Sequence, residues 1–211
     1  IRPGRNHYAA TAHLLRHLRC NTRTGGITYY ADLSQAPVTK LLASIGAPTD
    51  FPIVMFTDSS WQDCPDTSRS TGCYLIFCQG GIVDSASFVP DPIALSSAEA
   101  EYQIAAFGIS GCEHTRQVFQ EMHGLDADTA LTIPILTDSQ SAMAMASSDR
   151  DTRRTRHIRR RYHYVRIQIS NSAHIILKID GTLNISDIGT KLQDYATFLR
   201  HRAIIHTEVP P

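Results

Sequence analysis

Residues 52–88 read PIVMFTDSSWQDCPDTSRSTGCYLIFCQGGIVDSASF, and their pattern decides the fold. Three β-type runs, Pro52–Thr57, Gly72–Cys78 and Ile82–Phe88, are separated by a polar loop and by Gln79-Gly80-Gly81. The second separator is a hairpin signal. Downstream, Ser96 to Met122 reads as one long helix with Tyr102, Ala105, Ile109, Cys112 and Phe119 on a single stripe. Gly108 and Gly111 interrupt it, each costing about 1 kcal/mol relative to Ala, so another element is expected to pack closely against them.

A strand (LTIPIL, 131–136), a short helix (Ser139–Ala146), a basic helix (Thr152–Ile169), a strand (HIILKID, 174–180) and a final helix (Ile185–Arg200) follow. The order β-β-β-α-β-α-α-β-α predicts an α/β protein whose mixed sheet carries helices on its faces. Upstream, Asn6 to Leu18 has helical spacing, and Gly25-Gly26 ends that segment before a short strand in ITYYADL. Residues 34–51 mix Pro, Gly, Ser and Thr and read as a connection with one helical turn. A boundary is expected near Asp50, with residues 1–50 a connection-like segment and 51–211 the main domain.

At 211 residues and 42% hydrophobic composition, the chain can bury one substantial core or one core plus an appendage. Twenty basic and twenty acidic residues cancel, so attraction to a polyanion must come from local clustering. Five cysteines, odd in number and without a Cys-x-x-Cys pair, argue against a disulfide framework and against a zinc site. No apolar run approaches the ~20 residues that span a bilayer, and the Arg-rich opening lacks the apolar stretch of a signal peptide. The expectation is a soluble intracellular protein, and Ile1 in place of Met points to a piece of a longer chain.

Four carboxylates lie in four separate segments: Asp58 in MFTDSSW, Glu101 in SSAEAEY, Asp138 in PILTDSQSA and Asp187 in NISDIGTK. Scattered acids that converge in space suit a hard divalent cation such as Mg²⁺, which takes oxygen ligands and keeps substrate phosphate oxygens and waters. Asp58 and Asp138 each close an apolar run and would sit at strand tips, although a lone Asp there can equally start a turn. Glu99 and Glu101 project about 200° apart on a helix and cannot share one role. Ser96-x-x-Glu99 has the form of a capping box, with Glu99 reaching back to the Ser96 amide, which leaves Glu101 as the metal ligand. Asp187, at the start of the last helix, could simply complement the helix dipole.

Between residues 153 and 166 there are seven arginines and no acid. Ile158, Tyr162, Val165 and Ile169 fall on one helix face, leaving Arg156, Arg159, His163 and Arg166 on another. Such a run is either a solvated face or a partner for a phosphate backbone. His157 and His163 do not have the i, i+4 spacing of helical metal ligands.

Taken in order, FTDSSWQDCPDTSRSTGCYLIF, QGGIVDSASFVPDPIALSSAEAEY, ILTDSQSAMAMA, DTRRTRHIRRRYHYVR and DGTLNISDIGTK resemble the ribonuclease H domain of copia-type LTR retrotransposon polyproteins. The similarity runs from about Phe51 to Lys191, and NHYAATAHLLRHLRC with GGITYY is similar to the segment joining reverse transcriptase to that domain. The resemblance implies a ribonuclease H-like fold, with three antiparallel strands followed by parallel ones and helices on both faces. It also implies cleavage of the RNA strand of RNA/DNA hybrids with two Mg²⁺ ions, Mn²⁺ as a substitute, held by Asp58, Glu101, Asp138 and Asp187. Ser59, Ser139 and Gln140 are the expected backbone contacts, with Arg156, Arg159, His163 and Arg166 binding phosphates.

The partners implied are the hybrid and the reverse transcriptase domain of the same polyprotein, in the cytoplasm, a virus-like particle or the nucleus. Many relatives carry a histidine before the last acid. The stretch KIDGTLNISD has none, so Asp180 or a water would have to substitute, or turnover would be slow. The rival expectation is a module of the same fold that binds or clamps nucleic acid without cutting it.

Overall fold

The first half of strand β2 (Ile53–Ser60), Ile53–Phe56, is apolar on both faces because both faces are covered. Ile53 and Met55 point into a cluster with Tyr102, Ile109, Ile133 and Ile135. The alternate residues Val54 and Phe56 point into a second cluster with Leu42, Phe77 and Ile185. This period-2 division between two cores is what an internal strand of a layered α/β protein requires. The chain is seen here as a computed structural model that describes residues 5–21, 25–63, 68–91, 93–147 and 159–208.

β2 pairs antiparallel with β3 (Thr71–Cys78), which pairs antiparallel with β4 (Gly81–Phe88). Gln79 and Gly80 both have positive φ, 50° and 76°, which is the backbone of a two-residue type I′ hairpin. On its other side β2 pairs parallel with β5 (Ile133–Thr137), which pairs parallel with β6 (His174–Lys178). The sheet order is β4-β3-β2-β5-β6, and the alternating burial of β4 fits its place at an edge. This mixed sheet flanked by helices agrees with the ribonuclease H-like α/β fold expected from the sequence.

Helix α3 (Ser97–His123) packs against β2 and β3 and buries the predicted stripe, Tyr102, Ala105, Ile109, Cys112 and Phe119. Its interior glycines permit that approach. A Cβ on Gly108 would stand 2.3 Å from Met55 Sδ, and one on Gly111 would stand 2.8 Å from Ile76 Cδ1. Ser96 caps the helix start through its hydroxyl, and Gly124 ends it in the left-handed region at φ 62°. Helices α4 (Gln140–Ser147) and α5 (Arg159–Ser170) contribute Ala146 and Val165 to the same core.

Three expectations change. The segment 34–51 is more than a connection, since α2 (Pro37–Ser44) makes two turns, with Pro at its first position and Val38, Leu41 and Leu42 buried in the second core. The short strand lies in Gly25–Gly26, labelled β1, and pairs antiparallel with β7 (Thr207–Glu208). Ile27–Tyr30 forms no ladder because it lies along the hairpin turn, where the Tyr30 amide donates to Gln79 O at 2.8 Å. The final helix is two pieces, a 3₁₀ turn (Ile185–Gly189) and α6 (Tyr195–Ile205), the latter capped by Asp194. The basic helix is described from Arg159 onward. Arg156 and the rest of Thr152–Ile158 lie outside the described residues, as does α5's side-chain detail before His163. The helix α1 (Arg5–Asn21) matches the expected opening helix, and its described side chains are largely exposed.

Candidate metal centre

The parallel register that pairs Met55 with Ile135 and Phe56 with Leu136 carries two residues further to bring Asp58 level with Asp138. The matched runs IVMFTD and IPILTD thus deliver two acids to one end of adjacent strands. Asp58 is not quite at a tip, because β2 continues through Ser60, and it lies opposite Cys73 in the β2–β3 ladder. Glu101 reaches the same place from the first turns of α3. One oxygen each from Asp58, Glu101 and Asp138 lie within 4.8 Å of one another.

Glu99 does the capping work expected of it, one residue away from where it was expected. Ser96 Oγ accepts from the Glu99 amide at 3.2 Å, and Glu99 Oε2 accepts from the amide of Leu95, not Ser96, at 3.0 Å. Its other oxygen accepts from Gln103 Nε2 at 3.2 Å. Glu101 faces the cluster instead, with Oε1 held by the Ser59 amide at 3.1 Å. Its Oε2 is sealed from solvent and has no well-aligned hydrogen-bond donor among the described residues. An orphaned buried carboxylate oxygen is costly unless something positive meets it. Three hard oxygen donors, one of them otherwise unsatisfied, fit a hard divalent cation.

The electrostatics carry the same signature. Burial, then the charges of Asp58 and Asp138, push the Glu101 carboxyl up to about 8. Burial and the Asp58 charge also raise Asp138, and they raise Asp187 to about 6. The Cys73 thiol is driven up to about 12 by burial and by Asp58, which makes it an inert neighbour and not a nucleophile.

Asp187 is not one of the three converging acids. It stands in the 3₁₀ turn after β6 and connects to Asp58 through Lys191, whose Nζ lies 3.1 Å from Asp58 Oδ1 and 3.0 Å from Asp187 Oδ1. Thr190 Oγ1 donates to Asp58 Oδ2. The turn is anchored by Asn184, fully buried, whose Nδ2 donates to Thr57 O at 3.0 Å while its Oδ1 accepts from Ser186 Oγ at 2.6 Å. Burial opposes the charge of Lys191, yet Asp58 and Asp187 outweigh it and hold the ammonium protonated.

No family model matches the chain. Over 190 residues, 90% of this chain, it is 28% identical to the retrovirus-related Pol polyprotein from transposon TNT 1-94 of Nicotiana tabacum. The chain spans 13% of that polyprotein's length. Among solved structures it is similar to a ribonuclease H of the archaeon Halobacterium salinarum at 15% identity and a TM-score of 0.44, over 64% of this chain and 89% of that one. It is also similar to a ribonuclease H isolated from compost, solved too in complex with an RNA/DNA hybrid, at 13% identity and a TM-score of 0.46 over 65% and 91%. Against the N-terminal ribonuclease H domain of a Mycobacterium tuberculosis protein the values are 11% and 0.45, over 72% and 96%.

The expected substrate contacts are distributed unevenly. Ser59 is buried and acts on the cluster through its amide, while its hydroxyl also lies against the Glu101 carboxyl. Ser139 caps α4, its Oγ accepting from the Ala142 amide at 3.2 Å, and Gln140 is exposed beside it. On α5, His163 is exposed and Arg166 half-buried, while Val165 packs into the core as the spacing requires. Asp180, considered as a stand-in for the missing histidine, caps the turn Gly181–Leu183, its Oδ1 accepting from Thr182 N at 2.8 Å. Thr190, Lys191 and Asn184 were not singled out from the sequence. For Lys191 a signal existed, an acid and a lysine four apart. No helix among the described residues is long and apolar enough to cross a membrane.

Proposed function

We propose that this chain is a ribonuclease H, a metal-dependent endonuclease that hydrolyses the RNA strand of RNA/DNA hybrids during reverse transcription. The observation that carries the reading is the convergence of Asp58, Glu101 and Asp138 within 4.8 Å around an unsatisfied Glu101 oxygen. Asp58, Glu101 and Asp138 would hold the first cation, with Asp187 completing a two-ion set. Bound Mg²⁺, or Mn²⁺ in its place, supplies Lewis acidity at the scissile phosphate and lowers the pKa of an attacking water. The chain's own contribution is placement. The β2–β5 register fixes two acids, the Ser59 amide aims the third, and Asn184 pins the turn bearing the fourth to the Thr57 carbonyl.

Exposed Gln140, the neighbouring Ser139 and the α5 residues Arg159, His163 and Arg166, with Arg156 before them, would contact the sugar-phosphate backbone. Discrimination of RNA from DNA would rest on 2′-hydroxyls and groove shape. The likeness to part of a Pol polyprotein supports a reverse transcriptase domain as the covalent partner and an intracellular site of action.

A second reading, a hybrid-binding or clamping module without cleavage, draws support from Asp187 being tied to Lys191 and not gathered with the other three acids. Asp138→Asn separates the two readings. It removes one charge from the cage at a half-buried position outside the apolar core, so the fold stays intact and cleavage in Mg²⁺ falls to background. Full activity in the variant would refute the assignment. Hybrid binding without cleavage in the unaltered protein would support the second reading.

A further inference from the structure

Lys191 Nζ sits between Asp58 and Asp187, 3.1 Å from one carboxylate and 3.0 Å from the other, and Asp58 is itself 1% exposed. We propose that Lys191 is a built-in counter-cation that neutralises the Asp58–Asp187 pair in the metal-free protein and must withdraw before a divalent ion can use those two acids together. This rests on reading the acidic cluster as a metal cage.

Three features carry it. First, Lys191 Nζ engages Asp58 Oδ1 and Asp187 Oδ1 while the Thr190 hydroxyl engages Asp58 Oδ2, so a cation shared by Asp58 and Asp187 competes with the ammonium for the same oxygens. Second, Glu101 and Asp138 converge on Asp58 as well, so the cluster offers more carboxyl oxygens than one ammonium meets. Third, the Lys191 side chain is 41% exposed, which gives its ammonium a path to solvent without disturbing the core. Lysine suits such a role because it is a compact charge on a flexible stem, whereas an arginine fork would bind the carboxylates more rigidly. The 3₁₀ turn Ile185–Gly189, ended by a glycine packed on Cys73, is what delivers the lysine to Asp58.

Lys191 would then set the threshold of divalent concentration at which the cage fills. It is a positioning residue, acting through Asp58 and Asp187.

The test is Mn²⁺ binding by the unmodified chain, Lys191→Met, Lys191→Arg and Asp138→Asn, read by the loss of the free-ion electron paramagnetic resonance signal and by melting with and without the ion. The inference predicts roughly tenfold tighter Mn²⁺ binding by Lys191→Met, no gain or a weakening of affinity in Lys191→Arg, and a lower melting temperature of Lys191→Met that recovers at saturating Mn²⁺. Lys191→Gln serves the same purpose should the methionine variant not fold. Equal or weaker binding by the uncharged variants, with Asp138→Asn still impaired, would overturn the inference and leave the cage reading standing. No binding by any of the proteins would overturn both.

Discussion

At the residue scale, the three acids that converge were readable because each is announced by its neighbours. Asp58 and Asp138 follow apolar runs of the same form, and the capping role of Glu99 left Glu101 free to face the cluster. The contacts of Thr190 and Lys191 with Asp58 were not readable, because Asp58 is 132 and 133 residues away in sequence and only the folded turn joins them, although the i, i+4 pair of Asp187 and Lys191 was. His174 is another residue whose role appears only on folding. It is fully buried at the start of β6, with neither ring nitrogen hydrogen bonded, and Glu113 Oε1 stands 3.6 Å from Nε2. Despite that carboxylate, burial and then Arg116 push the imidazole down to about 4, so it is neutral at pH 7. The unfolded chain takes up its proton near pH 6.5 and the folded protein only near 4, so this contribution is fully present above 6.5 and is lost as pH falls toward 4. The loss is on the order of 3 kcal/mol. Glu113, raised by its own burial, acts with the opposite sign, so the histidine is isolated by difference. Urea unfolding of His174→Leu should show a shallower fall in stability between pH 6.5 and 4.5 than the unaltered protein. Identical slopes would contradict this.

At the element scale, α3 governs the placement of Glu101, and its fit depends on Gly108 and Gly111. The sequence shows two glycines that weaken a helix, and the fold shows why they are there: Met55 and Ile76 of the sheet occupy the space their side chains would need. Gly108→Ala gains helix propensity but places a methyl 2.3 Å from Met55 Sδ, and the overpacking term dominates. We expect a net loss of about 1–2 kcal/mol in chemical unfolding, and a neutral or stabilised variant would show that the sheet yields at no cost. Elements with strong periodicity were legible, α3, α5 and the five strands among them. The last helix was misread because the signals within 185–200, Gly189 as a break and Asp194 as a fresh N-cap, were passed over, and tertiary contacts of Gly189, Thr190 and Lys191 make the first part a 3₁₀ turn separate from α6. The two-turn α2 was missed for the opposite reason. Its flanking Pro, Gly and Ser residues read as a loop, and its three apolar positions matter only because the second core receives them.

For the whole molecule, two cores on opposite faces of a five-stranded mixed sheet put three acids at one end of the central strands, with a basic helix on the chain between β5 and β6. Charge patterning made that arrangement legible despite a net charge of zero, since arginines cluster in one segment while the acids stay dispersed. We propose that this arrangement cuts RNA in a hybrid, and incubating the chain in Mg²⁺ with an end-labelled RNA/DNA hybrid, beside duplex RNA and duplex DNA of the same sequence, decides it. Internal cleavage of the hybrid's RNA strand alone is expected. An intact hybrid under conditions where the chain binds it, or equal cutting of all three duplexes, would rule the proposed activity out.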